Sequence, residues 1–178
     1  MTHGAVRAGG LTVTGLTIEQ MNLSPLARQG AERLLAACPS VVFTSGRRDR
    51  WGQAWAMASN IVKGGRDWIA CTYKASPVAE SLQTWVTMHP EMETVGDLAQ
   101  GLTDQMVLWS DAELRTISRH CSGDAFDILP MVNEAGQPTP EGQFALDTIG
   151  SLEGLERLLT REGGLVRWHV QFIPSAEV

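Results

Sequence analysis

Two histidines and one aspartate in this chain stand where they could share an ion. His120 and Asp127 flank a glycine turn in Ser118-Arg-His-Cys-Ser-Gly-Asp-Ala-Phe-Asp127. The run Ala125-Phe126-Asp127-Ile128-Leu129 alternates so that Phe126 and Ile128 face a core. Asp127 then shares the other face with the small Ala125, which leaves room beside a carboxylate held on a rigid strand. The third member comes much later, in Val166-Arg-Trp-His169-Val-Gln-Phe172, where Val166, Trp168, Val170 and Phe172 alternate with polar residues as in a half-buried strand. His169 is thereby expected on a wet face with Arg167 and Gln171. Two imidazoles and a carboxylate form a zinc set of the catalytic kind, with three protein ligands and a fourth position for water, whereas structural zinc closes its tetrahedron, typically with Cys. Taken singly, each of the three has a plain structural explanation as a surface or sheet-face residue; it is their types, order and local context together that point to a metal.

The elements that must carry these residues can be read in order. Residues 1–20 read as an N-terminal arm with one edge strand, Leu11–Thr14. Ser24 and Pro25 open a helix that Pro39 ends. Val41–Thr44 is a short buried strand delivering Ser45-Gly-Arg-Arg48 at its end. Trp51, Trp55, Ala58 and Val62 fall on one helical face, which predicts that the indoles are core. Further helices are expected from Pro77 to near Pro90 and through Val95, Leu98, Leu102, Met106 and Trp109. A capping box at Ser110–Glu113 starts a short helix leading to the histidine motif. Asn133–Gly142 reads as a loop walling the site. Leu152, Leu155 and Leu159 predict a last helix ended by Gly163-Gly164.

The motif resembles the signature of the LAS zinc peptidases, the family of D-Ala-D-Ala carboxypeptidases, phage L-alanyl-D-glutamate endopeptidases and the hedgehog zinc domain. Its form is Ser-x-His-x-x-Gly-x-Ala-x-Asp, and Ser118, His120, Gly123, Ala125 and Asp127 fill all five places. Trp168-His169 matches the Trp-His pair that holds the family's third ligand. Thr44-Ser-Gly-Arg-Arg48 matches a segment whose arginine binds substrate, so the resemblance spans residues 40–172. It implies one zinc per chain on His120, Asp127 and His169, Arg48 as a catalytic and substrate-binding residue, and substrate contacts from Gln53 and Ser118. One position departs: where relatives commonly carry the catalytic glutamate, three residues before the last histidine, this chain has Val166. Glu162 is the nearest acidic residue in sequence and becomes the candidate base.

The expected fold is accordingly α+β, a small antiparallel sheet carrying the zinc and packed against several helices, of the hedgehog/D-Ala-D-Ala-peptidase kind. At 178 residues without a long linker, a single zinc peptidase domain over 1–178 is expected. The function implied is cleavage of peptidoglycan stem or cross-bridge peptides by a bacteriophage or prophage endolysin acting as a monomer. The alternative is a zinc-containing binding or structural module of the same fold with little or no catalysis. A third possibility, a thiol hydrolase built on Cys121 and His169, would ignore chelators.

Composition limits the rest. Hydrophobic residues make up 43% and charged ones 19%, as in a globular protein, and the formal net charge of −6 argues against a nucleic-acid partner. No segment approaches the roughly 18 apolar residues of a membrane span. The first ten residues lack the apolar block of a secretory signal, so synthesis in the cytoplasm is expected, with access to the wall through a holin or as a virion component. Cys38, Cys71 and Cys121 make no even framework and are expected to be reduced.

Overall fold

The computed structural model describes residues 5–8, 11–162 and 165–174, with side chains described for 15–161 and 166–174. It is an α+β protein whose main sheet has four antiparallel strands. The chain gathers into two compact units, residues 1–47 with 122–178, and residues 48–121.

The first unit contains the sheet. Its strands are β3 (Phe43–Ser45), β4 (Ala125–Ile128), β5 (Leu155–Glu162) and β6 (Leu165–Phe172), ordered β3-β4-β6-β5. One face is apolar because every second residue of β4 and β6 is large and hydrophobic. Phe126, Ile128, Trp168, Val170 and Phe172 are buried there with Phe43. Phe126 sits edge-on to Phe43 at 5.4 Å and tilted against Phe172 at 5.8 Å, arrangements that aromatic quadrupoles favour. Helix α1 (Pro25–Ala37) covers this face with Ala27, Ala31 and Leu34, and α7 (Pro140–Gly150) with Ala145 and Ile149. A further hairpin, β1 (Ala5–Ala8) with β2 (Leu11–Thr14), replaces the single edge strand expected in the N-terminal arm.

Two readings of this unit are corrected. The last helix was placed on Leu152, Leu155 and Leu159, but it lies earlier. Pro140 is its first residue, Thr139 caps it by accepting from the Gly142 amide, and it ends at Gly150. Gly154, in the left-handed region at φ 72°, then turns the chain into a strand. The leucines fit a helical period, but Leu155 and Leu158 pack against the core from β5 while Leu159 pairs across to His169. The expected loop is therefore shorter, ending at Thr139. Helix α1 starts at Pro25 as expected, with Ser24 at its N-cap position and no capping hydrogen bond from that side chain.

The second unit is helical: α2 (Arg50–Gly64), α3 (Trp68–Thr72), α4 (Pro77–Met88), α5 (Val95–Met106) and α6 (Asp111–Arg115). Its core draws Ala54, Met57, Ala58 and Ile61 from α2, Val78, Leu82 and Val86 from α4, and Leu98, Leu102 and Met106 from α5. The capping box stands as read, with Ser110 and Glu113 each holding the other's amide. Those bonds from Ser110 draw the Glu113 carboxyl below its ordinary value. The short helix α3 had no counterpart in the sequence reading. The Trp51–Trp55 expectation fails: both indoles are exposed, at 44% and 46%, and so is Val62. Helical spacing groups them on one face but does not say which face is buried, and the smaller Ala54, Met57 and Ala58 take the interior.

Candidate metal centre

Asp127 and His169 are brought together by strand register. They are directly paired residues of β4 and β6, as are Ala125 and Gln171, so the face opposite the aromatic core carries Ala125, Asp127, His169 and Gln171. Directly opposed residues of an antiparallel pair hold their Cβ atoms about 4.5–5.5 Å apart, which fixes the separation of the two functional groups through backbone hydrogen bonds. His169 Nδ1 lies 2.9 Å from Asp127 Oδ1. On the other side of β4, Ser45 of β3 pairs with Asp127 across a register irregularity, so the Thr44-Ser45-Gly46 segment ends beside the carboxylate.

His120 arrives by a local route. It sits in a 3-10 turn, Arg119–Cys121, seven residues ahead of Asp127. Gly123 makes the connection possible. Its φ is 82°, a region costly for L side chains, and its carbonyl accepts the Ser24 amide at 3.0 Å. A Cβ there would come within 3.1 Å of both Asn22 O and Ser24 N. Gly123→Ala is therefore expected to destabilise the protein by about 1–2 kcal/mol or more and to weaken metal binding, as thermal unfolding with and without metal would show. Unchanged melting of this variant would mean that the turn relaxes freely and that the motif's glycine has another explanation.

Among the described residues, His120, Asp127 and His169 are the group able to hold a metal ion: one ligand atom from each lies within 4.8 Å of the others. Ligands placed at about 2.0–2.2 Å around one ion stand roughly 3.3–3.6 Å apart in a tetrahedron, which lies inside that limit. All three are buried, at 3%, 4% and 7% exposure, which corrects the expectation of a wet sheet face. Burial strengthens the fit. A carboxylate withdrawn from water must be paired or ligated, and two imidazoles with a cation supply that compensation.

The residues expected to handle substrate form a second cluster. Arg48 donates its backbone N–H to the His120 carbonyl at 2.9 Å, tying the arginine segment to the histidine turn. Its guanidinium lies 3.4 Å from Gln53 Oε1, which also accepts from Ser118 Oγ at 3.2 Å. Gln53 Nε2 donates to the Tyr73 hydroxyl at 3.1 Å. Gln53 is 1% exposed, so its bonds orient Arg48 and Ser118 from below. Tyr73 was not anticipated, since nothing in its sequence surroundings marks it.

The base is where the sequence reading is least supported. Glu162 ends β5 and pairs with Leu165 instead of lying on a post-helical turn, and its side chain falls outside the described residues. Val166 is exposed. A carboxylate the sequence reading missed is Glu156, which accepts a 2.8 Å hydrogen bond from Nε2 of Gln171, two residues beyond His169 on the same face. The signal was available only through strand pairing. Of the thiols, burial raises Cys38, and a hydrogen bond to Asp67 raises Cys71, so neither is poised as a thiolate.

Searches for related proteins return no matching family model, no matching curated protein and no matching solved structure.

Proposed function

We propose that this chain is a zinc peptidase of the LAS kind, with a fold of the hedgehog/D-Ala-D-Ala-peptidase type, that cleaves stem or cross-bridge peptides of peptidoglycan. The observation supporting it is the gathering of His120, Asp127 and His169, residues singled out by motif, within 4.8 Å in a buried setting. Zinc at such a site lowers the pKa of water and polarises a scissile carbonyl. The chain's own residues do the rest. Paired strands hold Asp127 and His169 in place, so little reorganisation is needed during turnover. Arg48, oriented by Gln53, clamps a substrate carboxylate or developing oxyanion through its planar fork. Glu156 or Glu162 serves the departing amine, which must gain a proton. In biological terms the reading is a phage or prophage lysis enzyme reaching the wall through a holin or as part of a virion, an assignment by family analogy.

The deciding experiment is digestion of purified peptidoglycan with and without chelator, with released peptides identified by mass. Chelator-sensitive release of stem or cross-bridge fragments is expected. Release that ignores chelator but stops on alkylation would instead support the Cys121–His169 thiol hydrolase. No release at all would favour the second reading, a zinc-containing binding module, for which Val166 at the glutamate position speaks.

The acid–base group can be found in the same assay. General acid–base help is typically worth roughly 10²–10⁴-fold, so Glu156→Gln or Glu162→Gln, whichever removes it, is expected to lose activity on that scale. Full activity in both variants would exclude both carboxylates. A sharp rise from a low level in Val166→Glu would show the natural chain to be an impaired peptidase.

A further inference from the structure

The hydrogen bonds that join Arg48, Gln53 and Ser118 continue to the hydroxyl of Tyr73, and all four residues belong to the helical unit. The direction of each bond follows from what the groups can offer. A guanidinium carries only donors, so the part of the Gln53 amide that faces Arg48 Nη1 at 3.4 Å must be its oxygen. The same oxygen lies 3.2 Å from Ser118 Oγ, and since an amide oxygen has no proton, the serine hydroxyl donates. The amide then has only its amino group left to bond elsewhere, and Nε2 donates to the Tyr73 hydroxyl at 3.1 Å. Gln53 is 1% exposed, and a buried amino group without an acceptor is costly, so the tyrosine oxygen is what lets the amide keep this orientation.

We propose that Tyr73 is a positioning residue: it holds the Gln53 amide so that Arg48 presents donors while Ser118 Oγ, its proton committed to Gln53, presents lone pairs. Such a pair receives a carboxylate together with an N–H on the carbon that bears it. The proposal rests on the peptidase reading for the setting and narrows the substrate to an acylated amino acid whose carboxylate is free. Without the tyrosine hydroxyl, the buried amide has one good alternative, which is to turn over and donate to Ser118 Oγ, a group that can also accept. That brings the amino group against Arg48, donor against donor, and takes from Ser118 the lone pair offered to substrate. The rest of Tyr73 has a separate, structural task. Its ring meets Trp68 edge-on with centroids 5.6 Å apart, and its backbone N–H closes α3 by donating to the Ile69 carbonyl. Tyr73→Phe keeps both of these and removes the hydroxyl.

The test uses full-length protein kept with chelator, so that a carboxylate reports on Arg48 and not on a metal. Two probes are titrated by NMR: N-acetyl-D-alanine, which carries a carboxylate and an N–H on one carbon, and propionate, which lacks the N–H. N-acetyl-D-alanine is expected to bind more tightly than propionate, with that margin lost in Ser118→Ala. Tyr73→Phe is expected to weaken N-acetyl-D-alanine by about tenfold, with thermal unfolding nearly unchanged. Gln53→Glu separates positioning from a structural role. A carboxylate has an oxygen for each side and needs no acceptor, so adding Tyr73→Phe to it should weaken binding by less than about twofold. The full loss persisting in that background, no loss from Tyr73→Phe alone, or equal binding of the two probes overturns the proposal. So does failure of N-acetyl-D-alanine to bind. Binding that depends on Tyr73 in a protein without peptidase activity would remove the peptidase reading and leave the positioning role; peptidase activity indifferent to Tyr73→Phe would do the reverse.

Discussion

Metal binding should be lost when His169 is replaced by alanine, with affinity falling by more than the roughly 10–100-fold typical of losing a group that only orients a ligand. The variant removes one of three donors and also leaves Asp127 buried without the imidazole that lies 2.9 Å from it. Leaving a buried acceptor without a hydrogen-bond partner typically costs about 1–3 kcal/mol, so the metal-free variant should also melt lower than metal-free wild type. Zinc binds the folded wild type preferentially and should raise its melting temperature in proportion to the logarithm of its concentration. The same titration should leave His169→Ala almost unmoved. Elemental analysis of the two proteins, purified in parallel, measures the first effect and calorimetry the second. A variant that retains wild-type zinc and the zinc-dependent rise in melting temperature would show that His169 is not a ligand.

Removing the Arg48 side chain should lower turnover by about tenfold or more while changing stability little. The two effects separate because the arginine acts through two different groups. Its amide bond to the His120 carbonyl survives any side-chain substitution other than proline, so the histidine turn stays anchored. The guanidinium's contact to Gln53 Oε1 is long, at 3.4 Å, and the residue is half-buried, so that bond contributes little to the fold. Lysine should rescue poorly, since a point charge does not reproduce a planar fork that matches a carboxylate. Arg47 provides the control. Its amide bonds to the Met21 carbonyl and its side chain is exposed, so Arg47→Ala should retain most activity. Equal losses from the two alanine variants in the peptidoglycan assay would show that the wrong arginine has been assigned.

Residues 118–127 and 166–172 determine a good deal on their own. Phe126 and Ile128 alternating with Asp127, and Trp168 and Val170 flanking His169, specify two half-apolar strands, because the strand period of two forces neighbours to opposite faces. Gly123 announces the turn between His120 and Asp127, since its φ of 82° is one that other residues adopt at a cost. Capping chemistry likewise placed the start of α6 at Ser110, a local arrangement needing nothing from elsewhere in the chain. What only the tertiary structure decided is partnership and orientation. Asp127 and His169 are 42 residues apart, and no pattern within either strand says that they are paired in register. Glu156 meets Gln171 for the same reason, through a β5 that the leucine spacing had disguised as a helix. The tryptophans of α2 show the limit most plainly. A 3.6-residue period groups Trp51 with Trp55, but which side of a helix meets the core is settled by the shapes it packs against, and this core took the small side chains and left the indoles in water.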